Sequence, residues 1–357
     1  MPEANPAAPE PQRRRKPLLT VPEQIEHLKS KGVAFDLCPE AEAADYLRSG
    51  NNLLRASSYR KLFPVQDQGP HAGEYLGLDF EHLRTLSSLD RQLRQCFLLI
   101  TIDIEHFAHM ALLEKCERRG EDGYAIVADY LASINHKSRN HITGNLRGRS
   151  ADGDKHDEYS GDLIAKHLDS MPVWVFIESV EFDTFNDLYL FCAERWEDER
   201  MKQEHYVLKS VKAMRNACAH NNCIINGLVR TAGKVDSRTN DLMTASLNRH
   251  GMKRTKSRRA KLANPRISQL ASTLYASSIL CTKTSTRKRQ AAMLAQLRES
   301  YADSGALFEK NTTITSFWLI SNVSRTLWAE PAFPHPTERI ESHSGARISA
   351  LPQLEDL

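Results

Sequence analysis

Leu86, Leu89, Leu93, Phe97, Ile100, Ile104, Phe107 and Ala111 follow one another at steps of three or four residues without a break. That spacing puts one apolar stripe on a helix of 3.6 residues per turn, and it predicts a long core helix over about 80–118. Asp90, Arg91, Arg94, Asp103 and Glu105 interleave the stripe and read as exposed or paired positions rather than catalytic ones. Shorter stretches repeat the pattern. Thr20, with Pro22 in the first turn and Glu23 three residues on, has the arrangement of a capping box and starts a helix that Gly32 ends. A second helix is expected over 39–48. Pro172 opens a helix that carries Trp174, Ile177, Val180, Phe185 and Leu188, and another over about 204–221 turns Leu208, Val211, Met214 and Cys218 inward. Segments 267–280 and 291–297 are helical in composition. With no alternation of strands and helices and no internal repeat, the chain reads as all-α.

Between these elements the pattern lapses. Segment 51–77 is punctuated by Pro64, Gly69, Pro70, Gly73 and Gly77. Segment 133–169 is polar, holds four glycines and the histidines His136, His141, His156 and His167, and reads as a long loop or an insertion. Those histidines lack the tight spacing of metal ligands, so no metal is expected there. Residues 1–17, with five prolines, have too few apolar side chains to offset the entropy of ordering and read as a disordered arm. Residues 329–357 read as an extended tail. This leaves a helical domain over 18–230 and a basic, mainly helical extension over 231–328.

Composition narrows the class. The 357 residues are 41% hydrophobic and 26% charged, ordinary for a globular protein. The longest apolar run, 96–102, is too short to cross a bilayer, and no secretory pattern opens the chain, so a cytoplasmic location without a membrane is expected. Seven scattered cysteines without a C-x-x-C pair argue against a disulfide framework. The net charge of +3 hides an asymmetry. From 242 to 298 there is no acidic residue, while Arg249, Lys253, Arg254, Lys256, Arg258, Arg259, Lys261, Arg266, Lys283, Arg287, Lys288, Arg289 and Arg298 supply thirteen positive charges. Taking those thirteen from +3 leaves the rest of the chain at −10. A block of this kind points to a polyanion, and RNA phosphate is the expected contact. The near absence of aromatic residues there argues against base stacking.

One segment concentrates chemistry. Lys212-Ala-Met-Arg-Asn-Ala-Cys-Ala-His220 ends an otherwise apolar helix with Arg215, Asn216 and His220. At about 100° per residue, Asn216 and His220 share a face while Arg215 and His220 point roughly 140° apart. One helix therefore does not aim both groups at one atom, whereas two copies across a two-fold axis place two of each in one cleft. The chemistry that fits is RNA cleavage without a metal or other cofactor. The ribose 2′-OH attacks the neighbouring phosphate, a histidine moves protons, and an arginine holds the phosphate. Two other readings of the segment stand beside this one: His220 as a plain helix-end residue, and Cys218, His220 and Cys223 as part of a zinc site whose fourth ligand is not identified.

Four blocks carry a resemblance. Lys16-Pro-Leu-Leu-Thr20 with Glu23-Gln-Ile25, Leu89-Asp-Arg-Gln-Leu-Arg94 with Ile102-Asp-Ile-Glu105, Pro172-Val-Trp-Val-Phe-Ile-Glu178 with Phe182, and Arg215-Asn-Ala-Cys-Ala-His220 resemble, in order, the bacterial abortive-infection (Abi) proteins of the AbiD/AbiF type, a branch of the HEPN superfamily. The resemblance spans about 16–227. It implies an all-helical fold, a homodimer, phage defence, and a metal-independent endoribonuclease with Arg215, Asn216 and His220 in the Arg-x4-6-His motif. It also implies, for some members, a small non-coding RNA partner. Two departures stand out. Many relatives carry a second histidine and then an arginine after the first, where this chain has Asn221 and Cys223, and Asn51-Asn-Leu-Leu-Arg55 lacks the usual tyrosines. The alternative expectation is a non-catalytic RNA-binding protein.

Overall fold

The computed structural model describes residues 17–228, 239–249 and 255–308. Residues 1–16 of the arm expected over 1–17, the tail expected over 329–357, and Lys253 and Arg254 lie outside the described residues. The chain is all-α, and among the described residues there is no strand, only the isolated bridges Ala34–Asp79 and Val65–Tyr75. It opens with α1 (Val21–Lys29), α2 (Glu40–Asp45) and α3 (Leu53–Ala56). At α1 the expected capping box forms: the Glu23 carboxylate accepts from the Thr20 backbone N–H at 2.7 Å and from its hydroxyl at 2.8 Å. The helix expected over 39–48 is α2 continued by one wide π turn, Tyr46–Gly50.

The spine is α4 (Phe80–Arg119). Asp79 caps its start by accepting from the Glu81 N–H, and Gly120, at φ 66°, ends it in the left-handed conformation that glycine takes without strain. Leu86, Leu89, Leu93, Phe97, Ile100 and Ile104 are buried, as their spacing predicts. By length and composition α4 is apolar enough to cross a membrane. Within the bundle that apolar face is covered by other helices, and Leu99, Ile102 and Met110 on the opposite side stay exposed.

After α5 (Ala125–Ser133) the structure departs from the sequence reading. The segment expected as a loop or insertion holds two helices, α6 (His136–Arg149) and α7 (Gly161–His167). Asn135 caps α6 by accepting from the Ser138 N–H at 2.9 Å, and Ile142 and Leu146 give it a narrow buried stripe. Two such residues, diluted by Gly144 and Gly148, are too thin a signal against a polar background. The helix expected from Pro172 onward is two helices, α8 (Val173–Ser179) and α9 (Phe182–Arg195), with Val180 extended between them. The break is stabilised from a distance: the Arg149 guanidinium donates to the Ser179 carbonyl at 2.7 Å, satisfying a group that an unbroken helix would have paired internally.

Next comes α10 (Glu199–Ala219), then α11 (Asp241–Arg249), α12 (Lys256–Leu262), α13 (Pro265–Leu280) and α14 (Thr284–Asp303). Within the basic extension, α12 forms with Leu262 buried. Helices α10 and α13 pack on α4 and on each other, α9 packs on α10, and α14 lies along α4. The basic extension thus enters the same core as the preceding helices, and Leu270, Leu274 and Ala276 of α13 are fully buried.

Candidate active site

The buried face of α10 carries Leu208, Val211, Met214 and Cys218 as expected, and this fixes which way the polar residues at its end can point. His220 is the last residue of the helix cap and is exposed. Beyond it, Asn221 takes φ 54°, its N–H donates to the Cys218 carbonyl at 3.1 Å, and the Asn222 N–H donates to the Ala217 carbonyl at 2.8 Å. This is a Schellman ending. It occupies the last carbonyls of α10 and holds His220 in one backbone conformation.

Arg215 leaves α10 on another side, as its angular offset from His220 requires. Its Nε lies 3.7 Å from Glu105 Oε2 on α4. Among the described residues no hydrogen bond or ion pair joins Arg215 to His220. Burial pushes the Glu105 carboxyl up, Arg215 pulls it back in part, and the Glu178 carboxylate on α8 adds to the upward shift. Glu178 in turn meets His109 of α4, Oε1 to Nδ1 at 3.2 Å, and the His109 ring packs on Phe185 at 4.4 Å between centroids. Burial lowers the His109 pKa, and its Nε2 is buried without a partner. Three helices therefore bring Glu105, His109, Glu178 and Arg215 into one polar cluster. Residue-by-residue reading assigned Glu105 no function and left Glu178 and His109 unmarked. Glu105 and Glu178 each stand in a block carrying the family resemblance, which is the signal available for those two, and nothing in the sequence marks His109.

A second cluster fixes the chain that follows His220. Asp90 of α4 is fully buried and accepts from Tyr59 Oη at 2.8 Å, Arg94 Nη1 at 2.6 Å, and the Ile224 and Ile225 N–H groups at 3.1 Å each. Arg94 also reaches the Asn222 carbonyl at 3.5 Å. The pairing expected for Asp90 and Arg94 is thus present, and it ties α4 to the segment leaving the motif. Burial pushes the Cys218 thiol up to about 12 and the Cys223 thiol up to about 11. Cys218 faces the core while His220 faces solvent, and among the described residues no three His, Cys, Asp or Glu side chains are grouped to hold a metal ion.

The basic residues divide. Arg249, Lys256, Arg259 and Lys288 are exposed, Lys261 is half-buried, and Arg258 lies on α12. Arg266 differs from the expectation of an RNA contact. It is half-buried against Gly227, donates to Gln269 Oε1 at 2.8 Å, and burial lowers its pKa. Arg289 is engaged as well, its Nη2 donating to both Asp103 oxygens at 2.6 and 2.7 Å, and Arg287 donates to the Ser278 carbonyl at 3.3 Å. These side chains bind the extension to its own fold, a use that charge counting along the sequence does not distinguish from phosphate binding.

A family model described as Abi-like protein matches residues 46–226, just over half of the chain. The match runs from the turn after α2 to the segment held by Asp90, and so contains both clusters. Comparison with curated proteins and with solved structures gives no match.

Proposed function

The chain belongs to the Abi-like protein family, and we propose that it acts in the cytoplasm as a HEPN-type endoribonuclease that cleaves RNA without a metal. Membership makes it an abortive-infection protein of phage defence. The observation that carries the nuclease reading is the convergence at the end of α10. Glu105 stands beside Arg215 with Glu178 near Glu105, and Asp90 and Arg94 hold the segment beyond His220.

In the proposed reaction the 2′-oxygen attacks the adjacent phosphorus as one His220 removes its proton. The bond to the 5′-oxygen breaks, and the leaving oxygen takes a proton from the His220 of a second copy. The products are a 2′,3′-cyclic phosphate and a 5′-hydroxyl. Arg215, its Nε turned to Glu105, presents its terminal nitrogens to the charge that develops on phosphate. Asn216 shares the His220 face and is suited to hydrogen-bond the substrate. The two-copy requirement follows from the separate directions of Arg215 and His220, and the exposed Leu99, Ile102 and Met110 of α4 supply an apolar surface for such a contact. A small structured RNA bound to the same basic surfaces is the proposed regulator.

A second reading is a non-catalytic RNA-binding protein, since Asn221 stands where the family resemblance implies a second histidine. Incubating the purified chain with labelled RNA in the presence of a chelator separates the two. The nuclease reading expects cyclic-phosphate ends, and cleavage reduced by about 100-fold or more in His220→Ala. Parent-level cleavage by His220→Ala would sink the assignment.

A further inference from the structure

The helix α6 carries an exposed cationic face. From His136 to Arg149 it contains no acidic residue, while Lys137, Arg139, Arg147 and Arg149 are cationic. Lys137, Asn140, His141, Gly144 and Arg147 follow one another at steps that keep them on one helix face, and all five are exposed. Ile142 and Leu146 anchor the opposite face. Arg149 belongs to the fold, bonded to Asp157 and to the Ser179 carbonyl.

Some cations of the helical body are matched by its own carboxylates, as in Arg119 with Asp198, Arg195 with Glu121 and Lys212 with Asp183. Among the described residues no carboxylate lies within ion-pair distance of Lys137, Arg139 or Arg147. That charge is available to a ligand. Gly144 lies mid-helix, where glycine costs stability, and nothing stands within 4 Å of where its Cβ would be, so this side of the helix is open to a close approach.

We propose that the exposed face of α6, formed by Lys137, Asn140, His141, Gly144 and Arg147, is a docking surface for the phosphate backbone of RNA. The inference rests on the RNA reading above and extends it to a surface separate from the basic C-terminal helices. Lys137 and Arg147, ten residues apart, grip phosphates about 15 Å apart along the helix. Asn140 and His141 donate between them, and Gly144 lets the strand approach. With no Phe, Tyr or Trp on α6, recognition is of backbone and not of bases. The far edge of the helix lines a cavity whose other wall carries Asp187 and Glu194, which repel phosphate and confine it to the exposed face. The anchor from Arg149 to Ser179 sets the end of α6 one residue from Glu178, beside the Arg215 cluster, so RNA laid along this face is led toward the proposed site.

The test uses the full chain carrying His220→Ala, so that RNA stays intact, and measures binding of a fluorescently labelled RNA hairpin of mixed sequence over a salt series. The double change Lys137→Ala with Arg147→Ala is expected to weaken binding at least tenfold at low salt. It should also flatten the plot of log affinity against log salt by about 1.8, the loss of two phosphate contacts on the double-stranded stem. Lys137→Arg should bind as the parent does. Gly144→Ala is expected to raise the melting temperature and yet weaken binding, a pairing of effects that a purely structural glycine does not give. Unchanged affinity and salt slope in the double variant, with RNA held by α12 and α14 alone or with an acidic protein retained on this face instead, would overturn the proposal. The two readings fail separately. A double variant that binds normally removes the α6 surface and leaves the His220 chemistry standing, whereas α6-dependent binding by a chain that never cuts RNA supports the surface and removes the nuclease.

Discussion

Arg215 of α10 is turned toward Glu105 of α4, with Nε 3.7 Å from Oε2 and the Glu105 carboxylate raised in pKa by its burial. Two residues that are 110 positions apart thereby share one charge balance. The pair holds a guanidinium that would otherwise swing freely from the helix.

Glu105→Ala is therefore expected to lower RNA cleavage by about tenfold or more, through loss of Arg215 orientation. Glu105→Gln still offers an oxygen to Nε and should lose less. Stability moves the other way with pH. Because the folded-state value lies above the ordinary 4.5, the contribution of Glu105 is fully present below that pH and is lost as pH rises through the folded value. Thermal melts of Glu105→Gln against the parent should accordingly diverge in favour of the variant toward neutral pH, within about 1 kcal/mol. Single-turnover cleavage by Glu105→Ala at the parent rate would remove Glu105 from the site.

Asp90 carries a heavier structural role. It is fully buried and accepts from Arg94, Tyr59 and two backbone N–H groups, so Asp90→Ala leaves the Arg94 charge buried and unpaired, at a cost of about 3–5 kcal/mol. Replacing both ends, Asp90→Leu with Arg94→Met, should recover much of that stability. It should not recover cleavage, because the Ile224 and Ile225 N–H groups still lack their acceptor and the segment after His220 is no longer held. Urea unfolding reads the first effect, and hydrogen exchange at Ile224 and Ile225 reads the second. A double variant that is stable and fully active would mean that this clamp does not position the site.

Asn221 tests the helix ending without touching a reacting group. At φ 54° it is in the left-handed region, which asparagine and glycine tolerate and β-branched residues do not. Asn221→Gly should keep both stability and cleavage near the parent. Asn221→Val should cost about 1–2 kcal/mol and displace the end of α10, lowering cleavage although His220 and Arg215 remain. Equal activity of the valine and glycine variants would show that His220 does not depend on this turn.

Local chemistry alone determined much of this molecule. The three-and-four spacing from Leu86 to Ile104 fixed the spine helix, because a 3.6-residue repeat has one way to bury such a stripe. The capping box at Thr20 and Glu23 was legible because its hydrogen bonds span three residues. Likewise, the divergence of Arg215 from His220 followed from 100° per residue before any neighbour was placed. The tertiary structure decided what depends on groups far apart in the chain. Arg149 taking the Ser179 carbonyl split one expected helix into two. Two buried side chains and an asparagine cap made a helix of a segment whose composition reads as loop. Glu105 and Asp90, ordinary polar positions by periodicity, became a partner for Arg215 and a clamp behind His220, because only packing shows which polar residues share a desolvated space. Charge counting along the sequence found the basic extension but not that Arg266 and Arg289 serve their own fold, since an ion pair within the protein and a phosphate contact require the same side chain and differ only in what lies opposite.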